Sequence, residues 1–206
     1  AANCAADGVP TTFTDPSDQI RTNVGGNPEL EPETAKIITA GLVLEQTLFE
    51  GLSAAVDYWN IDIENGIEPV GAGIILTQCF ESNPDERQYC ELINRDPNTN
   101  VIRFISDVQN NVAGTKTQGL DFDVRYSKAT AFGRFGIQIE ATYLLDYIAV
   151  QPDGYEWSFK NNYDAASASS VSNGGIYTDL DMNTTLMWVK DAINAGVNVK
   201  FITGSK

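Results

Sequence analysis

The sequence predicts an all-β fold: a partial antiparallel transmembrane β-barrel sheet of about six long strands with long extracellular loops. Three observations carry this expectation. Polar and apolar residues alternate in three pairs of segments, 38–46 with 52–60, 120–126 with 135–143, and 184–190 with 195–201. Turns inside a pair are short (47–51, 127–134, 191–194), whereas the connections between pairs, 62–119 and 144–183, are long and polar. Charged residues sit on the polar face of nearly every segment, and Tyr or Trp marks the ends of most apolar bands. Strand side chains alternate between faces, and short turns at one end with long loops at the other is how a transmembrane barrel reads.

Residues 1–35 are rich in Asn, Pro, Thr and Asp and lack sustained periodicity. Within them Gly25-Gly-Asn-Pro-Glu-Leu-Glu-Pro-Glu-Thr34 reads as an extended connector, because a residue before proline is pushed toward β or polyproline geometry. In the first strand Ile38, Ala40, Leu42 and Leu44 share a face opposite Thr39, Gly41, Val43 and Glu45. Its partner sets Leu52, Ala54, Val56 and Tyr58 against Ser53, Ala55 and Asp57. Beyond Tyr58 the parity flips: Trp59, Ile61 and Ile63 are apolar, while Asn60, Asp62 and Glu64 are polar. Such a flip predicts that the strand leaves one environment for another near Tyr58 and Trp59, as at a membrane boundary marked by aromatics.

The second pair repeats the design. Leu120, Phe122, Val124 and Tyr126 oppose Asp121, Asp123 and Arg125; Phe135, Ile137, Ile139, Ala141 and Tyr143 oppose Gly136, Gln138, Glu140 and Thr142. In the third, Leu186 and Trp188 share a face, and Ala195, Val197, Val199 and Phe201 oppose Gly196, Asn198 and Lys200. Bands of four or five side chains span roughly 20–25 Å, close to the apolar band of an outer-membrane barrel. Tyr58, Trp59, Tyr126, Phe135, Tyr143, Trp188 and Phe201 are therefore the candidate membrane-interface aromatics. A soluble sandwich also alternates, but its loops are usually short at both ends.

The long connections carry local signals. Apolar residues three and four apart over 74–94 predict two short helices, and 101–108 reads as a strand extension outside the membrane. The stretch 151–175 is rich in Ser, Ala, Asn and Gly and is expected to be the mobile part. It carries four aromatics, Tyr155, Trp157, Phe159 and Tyr163, the candidate substrate-binding residues. Such rings stack on sugars or chelate rings and hydrogen-bond at one end; the competing reading is that they pack the loop or anchor it at the membrane.

Composition excludes several functions. The net charge is −15, from 28 acidic and 13 basic residues, which argues against a nucleic-acid partner. There is no histidine, so neither a His-based triad nor a His-ligated metal site is possible. No apolar run approaches the ~18 residues of a membrane helix. Asp57 with Asp62 and Glu64, Asp121 with Asp123, and Asp179 with Asp181 form acidic clusters that lack the Gly turn and distal Glu of an EF-hand. They read as a lumen-facing or solvated row, with no metal site. No isolated carboxylate pair stands out, so no catalytic residue is assigned and the chain is not read as an enzyme.

Three cysteines are present. Cys79 and Cys90 bracket a polar stretch, which suits a local disulfide in an oxidising compartment; two free thiols is the other reading. Cys4 is left over, for a partner outside the chain. The chain starts without Met or a signal peptide and stops as a strand finishes, so it is expected to be an internal fragment, 1–206, of a larger exported protein.

Gly26-Asn-Pro-Glu-Leu-Glu-Pro-Glu-Thr34, followed by a strand ending Gly41-Leu-Val-Leu-Glu45, resembles the TonB-dependent outer-membrane receptors, which typically carry GNPxLxPE before a barrel strand. Leu52-Ser-Ala-Ala-Val-Asp-Tyr-Trp-Asn-Ile-Asp-Ile63 is similar to another strand of that family, and Asn110-Asn-Val-Ala-Gly-Thr-Lys-Thr-Gln-Gly-Leu-Asp-Phe-Asp123 resembles its re-entry strand. Gln78-Cys79 and Tyr89-Cys90 match members with a disulfide-closed loop. The likeness covers 25–145 well and 180–204 more weakly. It implies a plugged barrel of about 22 strands, of which this chain holds about six, with the plug domain and remaining strands absent. It further implies TonB-coupled uptake of a scarce nutrient (siderophore-iron, a vitamin or an oligosaccharide) across the outer membrane of a Gram-negative bacterium. The implied partners are the TonB complex, reached through the missing N-terminal part, a small-molecule or oligosaccharide ligand and outer-membrane lipid; no cofactor is implied. A secreted β-sandwich adhesion or carbohydrate-binding module is the alternative.

Overall fold

Alternation is what makes this chain a sheet, and the strands it forms are longer than the alternating bands alone. The structure, a computed structural model, describes residues 2–16, 19–45, 49–152, 154–163 and 175–204. In chain order the elements are α1 (Ala2–Ala6), β1 (Thr22–Gly25), β2 (Thr34–Leu44), β3 (Leu52–Pro69), α2 (Ala72–Phe80), β4 (Ile93–Arg95), β5 (Ile102–Thr130), β6 (Gly133–Val150), β7 (Glu156–Ser158), β8 (Leu180–Lys190) and β9 (Ile193–Ile202). The six long strands lie side by side in the order β2-β3-β5-β6-β8-β9. This is a partial all-β barrel sheet that is not closed. β1 pairs in parallel with β5, β4 pairs antiparallel with β5, and β7 joins β6.

The expected strands 101–108 and 120–126 are one continuous β5, and β3 runs on to Pro69. Backbone pairing does not need apolar side chains, so a parity flip ends an apolar face without ending a strand. The turns are tighter than expected. Residues 131 and 132 join β5 to β6, where Gly133 has φ 117 and a Cβ would meet the Val189 carbonyl oxygen at 2.6 Å. Asp191 and Ala192 join β8 to β9, with Asp191 in the left-handed region that Asp tolerates. In the expected turn 47–51, residues 47 and 48 lie outside the described residues, as does 46 at the end of the preceding expected strand.

The chain divides into two units. One comprises Ala35–Ile63, Thr115–Ala149 and Glu156–Lys206 and holds most of the alternating sheet. The other comprises Ala1–Thr34, Glu64–Gly114 and Val150–Tyr155, drawn largely from the long polar connections. This loop-borne unit has its own core: Val70, Ile75 and Ile105 are buried, with Ile20, Leu76, Leu92 and Ile102 packed around them. α2 supplies the buried pair Ile75 and Cys79, one turn apart on one face.

Only one of the two helices expected over 74–94 forms. After α2 the chain makes two single 3₁₀ turns, Pro84–Glu86 and Cys90–Leu92, and enters β4. Pro84 keeps Asn83 extended and Tyr89 takes a left-handed φ of 61, so no helix can run through them. Helix α1, which has no periodic signal, is held by Asn3, whose side-chain amide donates to the carbonyls of Phe80 (3.1 Å) and Ser82 (2.7 Å) just past α2. The proline-punctuated connector is tied down by Asn111. Its amide oxygen accepts from Glu31 N and its amide nitrogen donates to Glu31 O, both at 2.8 Å, imitating a strand partner.

Candidate functional site

In the sheet unit, register decides which side chains share a face. Phe135, Ile137, Ile139, Ala141 and Tyr143 of β6 lie opposite Trp188, Leu186, Thr184, Met182 and Leu180 of β8. These continue into Ala195, Val197, Val199 and Phe201 of β9. Leu186 is 47% exposed and Val197 59% exposed, so this face is apolar and uncovered. The other face is a hydrogen-bonded polar wall. Thr142 donates to Asp121 (2.7 Å), Asn198 to Thr185 (2.8 Å) and Gln138 to Glu140 (2.7 Å). Lys200 pairs with Asp181 (3.1 Å) and Arg125 with Asp123 (2.9 Å). The eight-residue interval from Phe135 to Tyr143 amounts to about 26 Å of strand.

The aromatics mark the limits of that face. Phe135 lies opposite Trp188 at one limit, and the Trp188 indole N–H donates to the Phe132 carbonyl at 2.9 Å. Tyr143 lies opposite Leu180 at the other, with Phe201 opposite Met182 one step inward. Tyr126 lines a hollow of about 480 Å³ on the apolar face together with Phe135, Ile137, Leu186 and Trp188. Tyr58 donates to Gln118 Oε1 at 3.1 Å where the apolar run of β3 gives way to polar residues. Next to it a polar hollow of about 220 Å³ is lined by Asn60, Asp62, Lys116, Gln118 and Asp146. Trp59 stands apart from this set. It projects to the face opposite Tyr58, and its ring lies over Gly119, where an added Cβ would meet Cζ2 at 2.5 Å.

The four loop aromatics do not act as one group. Phe159 is only 1% exposed and packs against Ala149, Tyr147, Trp157 and Tyr177. Tyr147 meets it edge-on at 6.1 Å and stacks on Tyr177 at 4.1 Å. Phe159 is thus a core residue that no ligand can reach, and Trp157 is partly buried beside it. Tyr155 and Tyr163 are exposed. The expected mobile stretch 151–175 includes 153 and 164–174, which lie outside the described residues. Tyr147, Tyr177 and Lys160 are additions that sequence reasoning missed. Lys160 pairs with Asp179 at 3.2 Å and lies 5.6 Å from the Tyr143 ring centroid.

In the loop-borne unit Cys79 and Cys90 form a disulfide, with Cα atoms 5.0 Å apart. Arg87 belongs to the same knot. Its Nε donates to the Cys79 carbonyl at 2.7 Å, and its other nitrogens grip Asp7 at 2.9 and 2.5 Å. The hydrogen bonds from Arg87 hold the Asp7 carboxyl below the usual carboxylate range. Cys4 is a partly buried free thiol.

The family model described as TonB dependent receptor-like, beta-barrel, matches residues 6–201. The chain belongs to the TonB-dependent receptor β-barrel family. No curated protein matches its sequence. As a TonB-dependent receptor sheet, the structure is explained by its two faces. The family's members are outer-membrane transporters and receptors, for which an uncovered apolar face backed by a polar wall is the required arrangement.

Proposed function

We propose that this chain forms part of the wall of an energy-coupled outer-membrane importer for a scarce nutrient, a siderophore-iron complex, a vitamin or an oligosaccharide. The observation that carries this reading is the uncovered apolar band on β6, β8 and β9 behind a polar wall of ion pairs. In water such a band would be covered; in a bilayer it is the stable surface. Tyr58, Tyr126, Phe135, Tyr143, Trp188 and Phe201 place their rings at or near the limits of the membrane, while Trp59 faces the lumen. The open edges β2 and β9 pair with further strands of a larger barrel, since exposed edges invite pairing. TonB is the energy-coupling partner of such an importer. Substrate contact falls to Tyr155 and, in the other unit, to Trp157 and Tyr163.

Quenching by acyl-brominated lipid tests the reading on single-tryptophan variants in bilayers. Trp188 fluorescence is expected to be quenched and Trp59 fluorescence to be spared. Equal quenching of the two, or a chain that stays monomeric without detergent, would sink the proposal.

A further inference from the structure

The loop-borne unit carries a cavity of about 370 Å³ that is open to solvent and within the range of small-molecule sites. Its walls are apolar and partly aromatic: Val9, Phe13, Ile20, Leu76, Phe80 and Ile102. Four polar residues also line it, Cys4, Thr11, Asp15 and Arg95. Arg95 is the cation among them. It donates to the Asn100 carbonyl, and its guanidinium carbon lies 5.4 Å from the Phe80 ring centroid. Among the described residues no carboxylate lies within ion-pair distance of it. Of the neighbouring acids, Asp7 is gripped by Arg87, with Arg95 acting on it only at longer range, and Asp96 is gripped by Arg103. Asp15, which also lines the cavity, has interactions of its own.

A guanidinium steadied by one carbonyl and one ring keeps a planar fork of donors matched to a carboxylate. We propose that this cavity binds a small amphipathic anion, an apolar or aromatic carboxylate whose body fills the cavity while its carboxylate engages Arg95. The apolar walls supply affinity and the single cation supplies orientation, the division of labour usual in small-molecule pockets. All the residues involved lie in one unit, so the proposal does not depend on the membrane reading of the sheet.

Calorimetric titration of the whole chain in detergent with 3-phenylpropionate, and with its neutral amide, tests this. The acid is expected to bind at least tenfold more tightly than the amide. Arg95→Gln is expected to weaken the acid at least tenfold and leave the amide unchanged, and Leu76→Trp, which fills the cavity, to abolish both. Arg95→Lys, which keeps the charge but loses the fork, is expected to fall between wild type and Arg95→Gln. Unchanged amide-exchange protection of α2 and β4 confirms that each variant is folded. Equal affinity for acid and amide, unchanged binding by Arg95→Gln, or no binding of the acid at millimolar concentration would overturn the proposal.

Discussion

Asp96 shows how much one carboxylate can organise. Its oxygens accept from the backbone N–H groups of Asn98 (2.8 Å) and Thr99 (3.1 Å) and from Arg103 (2.6 Å). This closes an Asx-type turn leading into β5. The backbone bond from Asn98, then Arg103 and the Thr99 backbone bond, lowers its pKa from 3.8 to about 2. A folded value below the unfolded one stabilises the turn above the unfolded pKa, and that stabilisation disappears as pH falls through the folded one. The Thr99 amide resonance is therefore expected to titrate near pH 2, and order in the 96–100 turn to fade between 3.8 and about 2. Asp96→Asn should remove this dependence. A midpoint near the ordinary carboxylate value would show that the turn does not use the charge.

At the level of the strand, β6 offers the cleanest comparison of environments. Ile139 sits midway between Phe135 and Tyr143 on the apolar face, while its neighbour Gln138 points to the polar wall and bonds Glu140. Arginine at the bilayer midplane of a barrel costs about 2–4 kcal/mol. Ile139→Arg is expected to lower stability by about that amount in denaturant titrations from bilayers, and Gln138→Arg, beside Glu140, by far less. Equal costs would mean that both faces meet the same medium. Period-two alternation made both faces readable from sequence. The second helix expected over 74–94 does not form, because Pro84 and the left-handed Tyr89 interrupt an apolar spacing that would otherwise suit one.

At the scale of the whole molecule, the two units rest on different forces. The sheet unit is held by ladders such as β8–β9, ten residue pairs in register from Asp181↔Ile202 to Lys190↔Ile193. The loop-borne unit relies on a small core and the Cys79–Cys90 link, which closes a short loop and contributes about 2–3 kcal/mol. Reduction is expected to speed amide exchange in α2 and β4 and to leave that of β6, β8 and β9 unchanged, as hydrogen-exchange mass spectrometry would read. Faster exchange throughout would show one cooperative unit. Alternation and short motifs are local properties, so the six long strands, their faces and the family were legible in the chain alone, and, given the family's disulfide-closed loop, so was the pairing of Cys79 with Cys90. The tertiary structure alone decided that Phe159 is core, that Trp59 turns away from Tyr58, and that Arg87 reaches Asp7 across 80 residues of chain. Each of these depends on which segment becomes a neighbour, and no local pattern encodes a neighbour that arrives from far along the chain.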